Sequence, residues 1–383
     1  MQLKQVYDAA IVGGGLAGLA AGIRLARLGH SVVLFEKEKY PFHKVCGEYI
    51  SLESWNFLQE LGLPLKEMRL PVIDTLLLTA PNGKAFRTKL PLGGFGISRY
   101  KIDALLADIA KSNGVHVVDE TKVNEINFNE KFTLEFQSKT VSTNKVDAML
   151  CCASYGKRSN LDIKWNRNFL KGVDKKLDNY VAVKYQIKTN WQKNLIGLHN
   201  FENGYCGISK IEDDRYCLCY MSKAEMLKKS NNSIHQLEND ILYKNPHLKN
   251  IFQSAEICNE FPVTISQINF NKKTLVEDHM LMIGDAGGMI TPLCGNGMSI
   301  ALQTGKIASE LMSSYLNGNI SRVELETDYQ QQWKNNFARR LRTGRMIQRF
   351  FGSKLLSNLF VQTFRLLPFL AKPVVKMTHG KSF

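Results

Sequence analysis

Little in the 383-residue chain points to a scaffold held by anything but its own core. Its eight cysteines, at positions 46, 151, 152, 206, 217, 219, 258 and 294, form no CxxC pair. That excludes the common zinc modules, and at this length no disulfide framework is required, so the cysteines read as thiols of a reduced, cytoplasmic protein. Long apolar runs are missing too: no stretch of eighteen uncharged apolar residues occurs, which excludes a bilayer-spanning helix. The apolar first thirty residues read as something other than a signal sequence, because five glycines between Gly13 and Gly22, then Arg24 and Arg27, interrupt them. Few prolines (ten) and 44% hydrophobic residues exclude a disordered or fibrous chain. Acidic residues are absent from Lys334 onward, a segment that holds eleven of the fifteen net positive charges. The basic character belongs to the tail, and no nucleic-acid recognition module accompanies it.

What is present starts with "YDAAIV", a short apolar strand, followed by "GGGLAGLAAGIRLARLG", a glycine turn entering a helix, and "HSVVLFEK", a β-branched strand ending in Glu36. Gly13-x-Gly15-x-x-Gly18 is a dinucleotide fingerprint. Gly13 permits the tight turn, Gly15 lets backbone approach a pyrophosphate, and Gly18 lets helix pack on strand. The amides at Leu16 and Ala17 open the helix, whose N-terminus faces the phosphates. Glu36, with Lys37 beside it, stands 23 residues after Gly13, where a carboxylate accepts from ribose hydroxyls and disfavours a 2′-phosphate. The plain alternative is a glycine-rich turn with no ligand. NAD and FAD remain open on this unit alone.

Toward the other end, "HMLMIGDAGGMITPLCGNGMSIALQTGKIASELM" reads as a strand ending at Gly284-Asp285-Ala286, a loop with Pro292 and Gly295-Asn296-Gly297, and a helix from Met298. Asp285 suits a hydroxyl chain, and the amides from Gly295 to Met298 suit an electron-rich ring. In "GISRYKIDALLADIAKSNGVHV", Arg99 ends a strand and Asp103 begins a helix with Ile102, Leu105, Leu106 and Ile109 inward.

This ordered set resembles the flavoprotein fold shared by aromatic hydroxylases, flavin halogenases and geranylgeranyl reductases. The resemblance implies an α/β fold: a Rossmann-type FAD-binding domain, an interleaved antiparallel-sheet substrate domain and a C-terminal helical segment. It implies FAD, with Gly13, Gly15, Gly18 and Glu36 on the ADP half, Asp285 on the ribityl chain and Arg99 beside the phosphate-ribityl region. The family's aspartate–glycine pair is replaced by Ser154-Tyr155-Gly156. "KVCGE", residues 44–48, is similar to the cysteine–glycine signature of geranylgeranyl reductases and puts Cys46 and Gly47 on the reacting face. Cys46 is then either a proton donor, its thiolate favoured by His43 and Lys44, or a soft packing residue. Phe42 stands where many relatives carry arginine, leaving Lys44 as the loop's phosphate contact. Cys294 precedes the flavin-facing glycines.

The expected domains are 1–74, 97–175 and 275–330 for FAD; 75–96 and 176–274 for the substrate sheet; and 331–383 for a basic helical lid. "IDTLLLTAPNGKAFRTKLP" reads as a hairpin, and "YVAVKYQIKT", "LIGLHNF", "GYCGISKI" and "RYCLCYMS" as four more strands. Phe201, Tyr205 and Tyr220 are wall candidates, and Cys151, Cys152, Cys217 and Cys219 read as ordinary core or strand residues. In the tail, Leu356, Phe360, Phe364 and Leu367 form an apolar stripe, Arg342, Arg345 and Arg349 a basic face, and Pro368 and Pro373 close the helix. Such a lid suits peripheral contact with an anionic membrane or simple packing on the sheet.

Three functions follow. An FAD reductase would pass hydride to double bonds of a polyprenyl lipid. An FAD monooxygenase would hydroxylate a phenolic or long-chain aromatic lipid. A carrier would have lost catalysis. A halogenase is disfavoured, because no W-x-W-x-I-P stretch occurs. Only one fingerprint is present, so NADPH or NADH would act as a transient donor over the flavin. The expected partner is a hydrophobic small molecule, with no nucleic acid and a monomeric state.

Overall fold

The β-branched run Val32–Phe35 and the apolar run Val6–Val12 are buried on both faces, which is the signature of a parallel sheet covered by helices. The computed structural model describes residues 3–170, 179–268, 270–289, 295–348, 350–351, 353–378 and 380–383. Its first sheet runs in the order Val276–Glu277, Met280–Met282, Lys145–Ala153, Val6–Val12, Val32–Phe35, His116–Val118. Along this order every pair is parallel except the short one between the first two. The hairpin Thr121–Asn129 and Lys131–Ser138 joins antiparallel along the first half of Lys145–Ala153, leaving its last residues to Met280–Met282. Helices Leu16–Arg27 and Gly297–Leu316 pack closely because position 305 is glycine: a Cβ there would lie 2.5 Å from Ala17 O.

Among the described residues the second sheet has nine strands. Val72–Thr79 and Ala85–Gly96 form the expected hairpin, while Tyr180–Lys188, Leu195–Phe201, Gly204–Lys210 and Tyr216–Lys223 extend it, Leu195–Phe201 pairing parallel with Val72–Thr79. Tyr49–Ser51 also joins this sheet, through Ala85–Gly96. The Cys46 loop thus hands the chain from one sheet to the other. Arg99 does not end a strand; it opens the helix Arg99–Ser112, with Ser98 Oγ accepting from Lys101 N as the cap.

The tail is a set of helices, Arg322–Gln348, Lys354–Leu366 and Ala371–Thr378. Phe364 is buried and Phe360 partly so, but Leu356 and Leu367 are exposed, so only half of the expected stripe faces inward. Pro373 does not close a helix. It lies in the first turn of Ala371–Thr378, where a missing N–H costs nothing.

Candidate active site

The glycines of the fingerprint serve different neighbours. Gly13 has φ +110°, and a Cβ there would lie 2.4 Å from Ser154 O. A Cβ at Gly18 would lie 2.2 Å from Gly13 O. Both are glycine because the protein closes around them. At Gly15 a Cβ would meet only Arg99 Nη2 at 3.6 Å and Lys44 Nζ at 3.9 Å. Two cations therefore converge on open glycine backbone at the start of Leu16–Arg27, a helix whose first amides have no side-chain cap. The dipole, the free N–H groups and the two positive charges make an anion cradle. A diphosphate such as that of FAD fits these residues.

Those cations are pre-placed by Asp103. Arg99 Nε and Nη2 each donate to its carboxylate at 2.7 Å, and Lys44 Nζ lies 3.1 Å from it and 3.7 Å from Glu36. Burial opposes the ionisation of Asp103, but Arg99 and Lys44 outweigh it and hold the carboxyl below its usual range. Burial likewise works against the charge of Arg99, and Asp103 more than restores it. Glu36, 6% exposed, accepts from Gly14 N at 3.0 Å and Glu38 N at 3.2 Å, at the strand end where an adenosine ribose was expected. Lys37 stays apart: it is 70% exposed and pairs with Glu38 at 3.5 Å.

The cradle opens into a cavity with about 1290 Å³ of free space, open mouth included. Gly15, Leu16, Ala17, Cys46, Gly47, Arg99, Gly284, Asp285, Gly295, Gly297 and Met298 all line it. Asn296 is buried at the N-cap of Gly297–Leu316. Pro292 and Cys294 lie outside the described residues. Gly284, at φ +60°, donates to Thr304 Oγ1 at 2.9 Å. Lys273 Nζ donates to Asp285 O and Lys157 O, both at 2.8 Å, and its burial pulls its pKa down to about 8. Ser154 also reaches the wall, while the Tyr155 hydroxyl turns away to Asp162. Tyr205 and Tyr220 line the cavity; Phe201 packs in the core behind Tyr220.

The Cys46–Gly47 turn faces this space, and a Cβ on Gly47 would meet nothing within 4 Å. The cations expected to tune Cys46 point elsewhere. Lys44 serves Asp103 and Glu36 and sits 4.5 Å over the Phe42 ring, and His43 stacks on Tyr100. The sulfur instead accepts from Glu48 N at 3.5 Å, and the turn is tied down by Cys217 Sγ donating to Cys46 O at 3.1 Å and Ser209 Oγ to Gly47 O at 3.0 Å. Behind it lies a fully buried ion pair, Glu48 with Lys184, which the sequence reading missed. The available signal was a lysine in the middle of the otherwise apolar strand "YVAVKYQIK". Cys219, read as an ordinary strand residue, also reaches the cavity wall.

A family model described as an FAD binding domain matches residues 6–341. Among curated proteins, the conditioned medium factor receptor 1 of Dictyostelium discoideum is 24% identical over 87% of this chain and 68% of its own length. The digeranylgeranylglycerophospholipid reductase of Methanococcus vannielii is 25% identical over 87% of this chain and 83% of its own length. Among solved structures, a flavin-dependent brominase superposes with TM-score 0.79 at 19% identity, covering 99% of this chain and 94% of that one. A geranylgeranyl bacteriochlorophyll reductase-like protein from Thermoplasma acidophilum superposes with TM-score 0.75 at 17% identity, covering 93% and 91%.

Proposed function

Because the chain belongs to the FAD-binding domain family and is an FAD-dependent oxidoreductase, we propose that it reduces isoprenoid double bonds of a hydrophobic, lipid-like substrate. The observation that carries this reading is a second cavity of about 820 Å³, lined almost wholly by apolar side chains such as Leu76, Leu78, Phe86, Ile347, Phe360 and Phe364. It lies between the second sheet and the C-terminal helices and shares Tyr49, Ile196, Leu198 and Gly295 with the cavity at the glycine cradle. A long hydrocarbon has room in the apolar chamber while one of its double bonds enters the cavity at the glycine cradle. Likeness to digeranylgeranylglycerophospholipid reductases supports the same substrate class.

FAD, when bound, supplies hydride chemistry. The chain's own residues do the rest. Arg99, Lys44 and the open backbone at Gly15 neutralise and place the diphosphate, Glu36 receives the ribose and Asp285 the hydroxyl chain. Gly47 leaves room for a flat ring, and the apolar walls exclude water. Cys46 Sγ holds the proton that the second carbon of the double bond receives. A pyridine nucleotide, if used, would bind transiently over the flavin.

The outer face of the lid extends the reading to a membrane surface. Leu355, Leu359, Leu366 and Phe369 are between 63% and 81% exposed, with Lys354, Arg365 and Lys376 exposed around them. Among the described residues no helix is long and apolar enough to cross a membrane, so the contact proposed is peripheral. The decisive experiment reduces the flavin of the purified protein under argon, adds a geranylgeranylated lipid and follows both flavin reoxidation and lipid mass. A gain of two hydrogens per double bond is expected. A flavin that waits for oxygen and an alkyl phenol, with a product one oxygen heavier, replaces the reductase with a monooxygenase.

A further inference from the structure

The strands Lys145–Ala153 and Met280–Met282 are parallel neighbours. The segments that leave their carboxyl ends both line the cavity at the glycine cradle, with Ser154, Gly156 and Lys157 on one and Gly284 and Asp285 on the other. Open parallel sheets bind their cofactors at that end. One side chain joins the two segments. Lys273 lies on the connection that brings the chain back from Val263–Ile268 in the second sheet to Val276–Glu277 in the first. It is 6% exposed, and its ammonium donates to Asp285 O and to Lys157 O, at 2.8 Å each.

A second buried cation holds the next carbonyl: Arg167 Nη1 donates to Ala286 O at 3.1 Å. The two cations differ in how their charge is answered. Arg167 pairs with Asp162 at 2.9 Å and with Glu277 at 3.3 Å. Among the described residues no carboxylate pairs with Lys273, whose ammonium has the two carbonyls and the face of Phe169 at 4.7 Å. Burial dominates its titration; Asp162 and Asp285 oppose it, Arg167 and Lys157 reinforce it, and the outcome is the lowered pKa of about 8. A buried charge without a counter-ion is costly, and an anionic cofactor in the cavity supplies one.

We infer that Lys273 is a positioning residue of the FAD pocket: its ammonium fixes the spacing of the Asp285 and Lys157 segments, and its charge is met by the bound cofactor rather than by the protein. This rests on FAD occupying the cavity and is independent of the lipid reading.

Lys273→Met keeps much of the side-chain volume and removes the charge and its donors, whereas Lys273→Arg keeps a charge that does not titrate. Both variants are checked for folding without FAD by urea unfolding, and FAD is then titrated by fluorescence between about pH 7 and about pH 10, the range that brackets a shifted lysine. A unit charge about 10 Å from a bound anion, at an effective dielectric of about 20, changes Kd roughly tenfold, and K273M should bind FAD more weakly than wild type by about that factor at neutral pH. Wild type loses its own charge as the pH passes about 8, so the gap should narrow there. Other groups titrating in this range act on both proteins and cancel in the ratio. A gap that is the same at every pH marks packing alone and overturns the inference, as does K273M binding FAD as tightly as wild type at neutral pH. Should K273M not fold, K273R decides: it should hold FAD at high pH where wild type weakens, and a K273R curve that follows the wild-type one overturns the inference. A wild-type protein that takes up no FAD sinks the pocket reading together with this inference, while tight binding by wild type and K273M alike sinks the inference alone.

Discussion

Gly15→Ala and Gly18→Ala separate a glycine kept for the protein from one kept for its ligand. The Gly18 Cβ would lie 2.2 Å from Gly13 O and 3.0 Å from both Ile11 Cγ2 and Ser154 Oγ. Since backbone must move, the FAD-free protein loses about 3 kcal/mol. At Gly15, φ −84° and ψ −176° suit alanine, and the contacts at 3.6 and 3.9 Å are ordinary. Only a poorer N-cap remains, worth about 1 kcal/mol at most. FAD binding should reverse the ranking, because the Gly15 methyl fills the cradle and holds the phosphate off the amides. Losing more than one charge-assisted hydrogen bond at about 1.5–3 kcal/mol each predicts a hundredfold or greater rise in Kd. With FAD at a hundred times the wild-type Kd, wild type gains about 2.7 kcal/mol in urea unfolding and Gly15→Ala only about 0.4 kcal/mol. A Gly15→Ala protein that binds FAD within about threefold of wild type would refute the cradle.

Other expectations follow from single features. His199 is 0% exposed, and burial, aided by His247, pulls its pKa to about 3. It stays neutral in the fold while the unfolded chain protonates near pH 6.5, so its stabilising share is whole above that pH and falls toward pH 3. Between pH 7 and 5 the loss is about 2 kcal/mol, and His199→Asn should flatten this stretch of the urea-midpoint profile. Asp103→Asn strands Arg99 and Lys44 and should cost the FAD-free protein about 3 kcal/mol. FAD should recover part of it, because phosphate replaces the lost partner; equal losses with and without FAD would place the cations away from the phosphates. Leu355→Asp with Leu359→Asp should lower binding to anionic vesicles at least tenfold in sedimentation while leaving the flavin spectrum unchanged. An unaltered vesicle affinity would remove the lid from the membrane.

The parts of the site that could be read from sequence are those whose geometry is local. Gly13, Gly15, Gly18 and Glu36 belong to one strand–turn–helix–strand unit, so their spacing carries their relation. Asp285 was legible for the same reason, lying just past the end of an apolar strand, and Gly297 because it opens a helix. Glu48 with Lys184 was not, because the pairing depends on how two sheets meet and no periodicity encodes it. His43 and Lys44 show the opposite error. Nearness in sequence suggested they would act on Cys46, but the turn sends one ring onto Tyr100 and one ammonium to Asp103. Tyr49–Ser51 is too short to announce itself as a strand, and Ala85–Gly96 makes it one by supplying an edge. In the tail, the helical period was visible, but which half of Leu356, Phe360, Phe364 and Leu367 faces inward was set by the sheet beneath.

The parallel pairing of Leu195–Phe201 with Val72–Thr79 also sets a schedule for a nascent chain. Val72–Thr79 can close its hairpin with Ala85–Gly96 at once, but its other edge has no partner until residue 195 has been made. At about 5–20 residues per second of synthesis, that edge waits on the order of ten seconds. Its apolar face waits longer, because the helix that covers it, Lys354–Leu366, is made later still. The first sheet is likewise incomplete until Met280–Met282 arrives beside Lys145–Ala153. Both sheets therefore wait for strands made long after their first ones. A chain lacking Lys354–Leu366 would expose the apolar chamber as a sticky surface, and holdase chaperones should dwell on it until that helix is made.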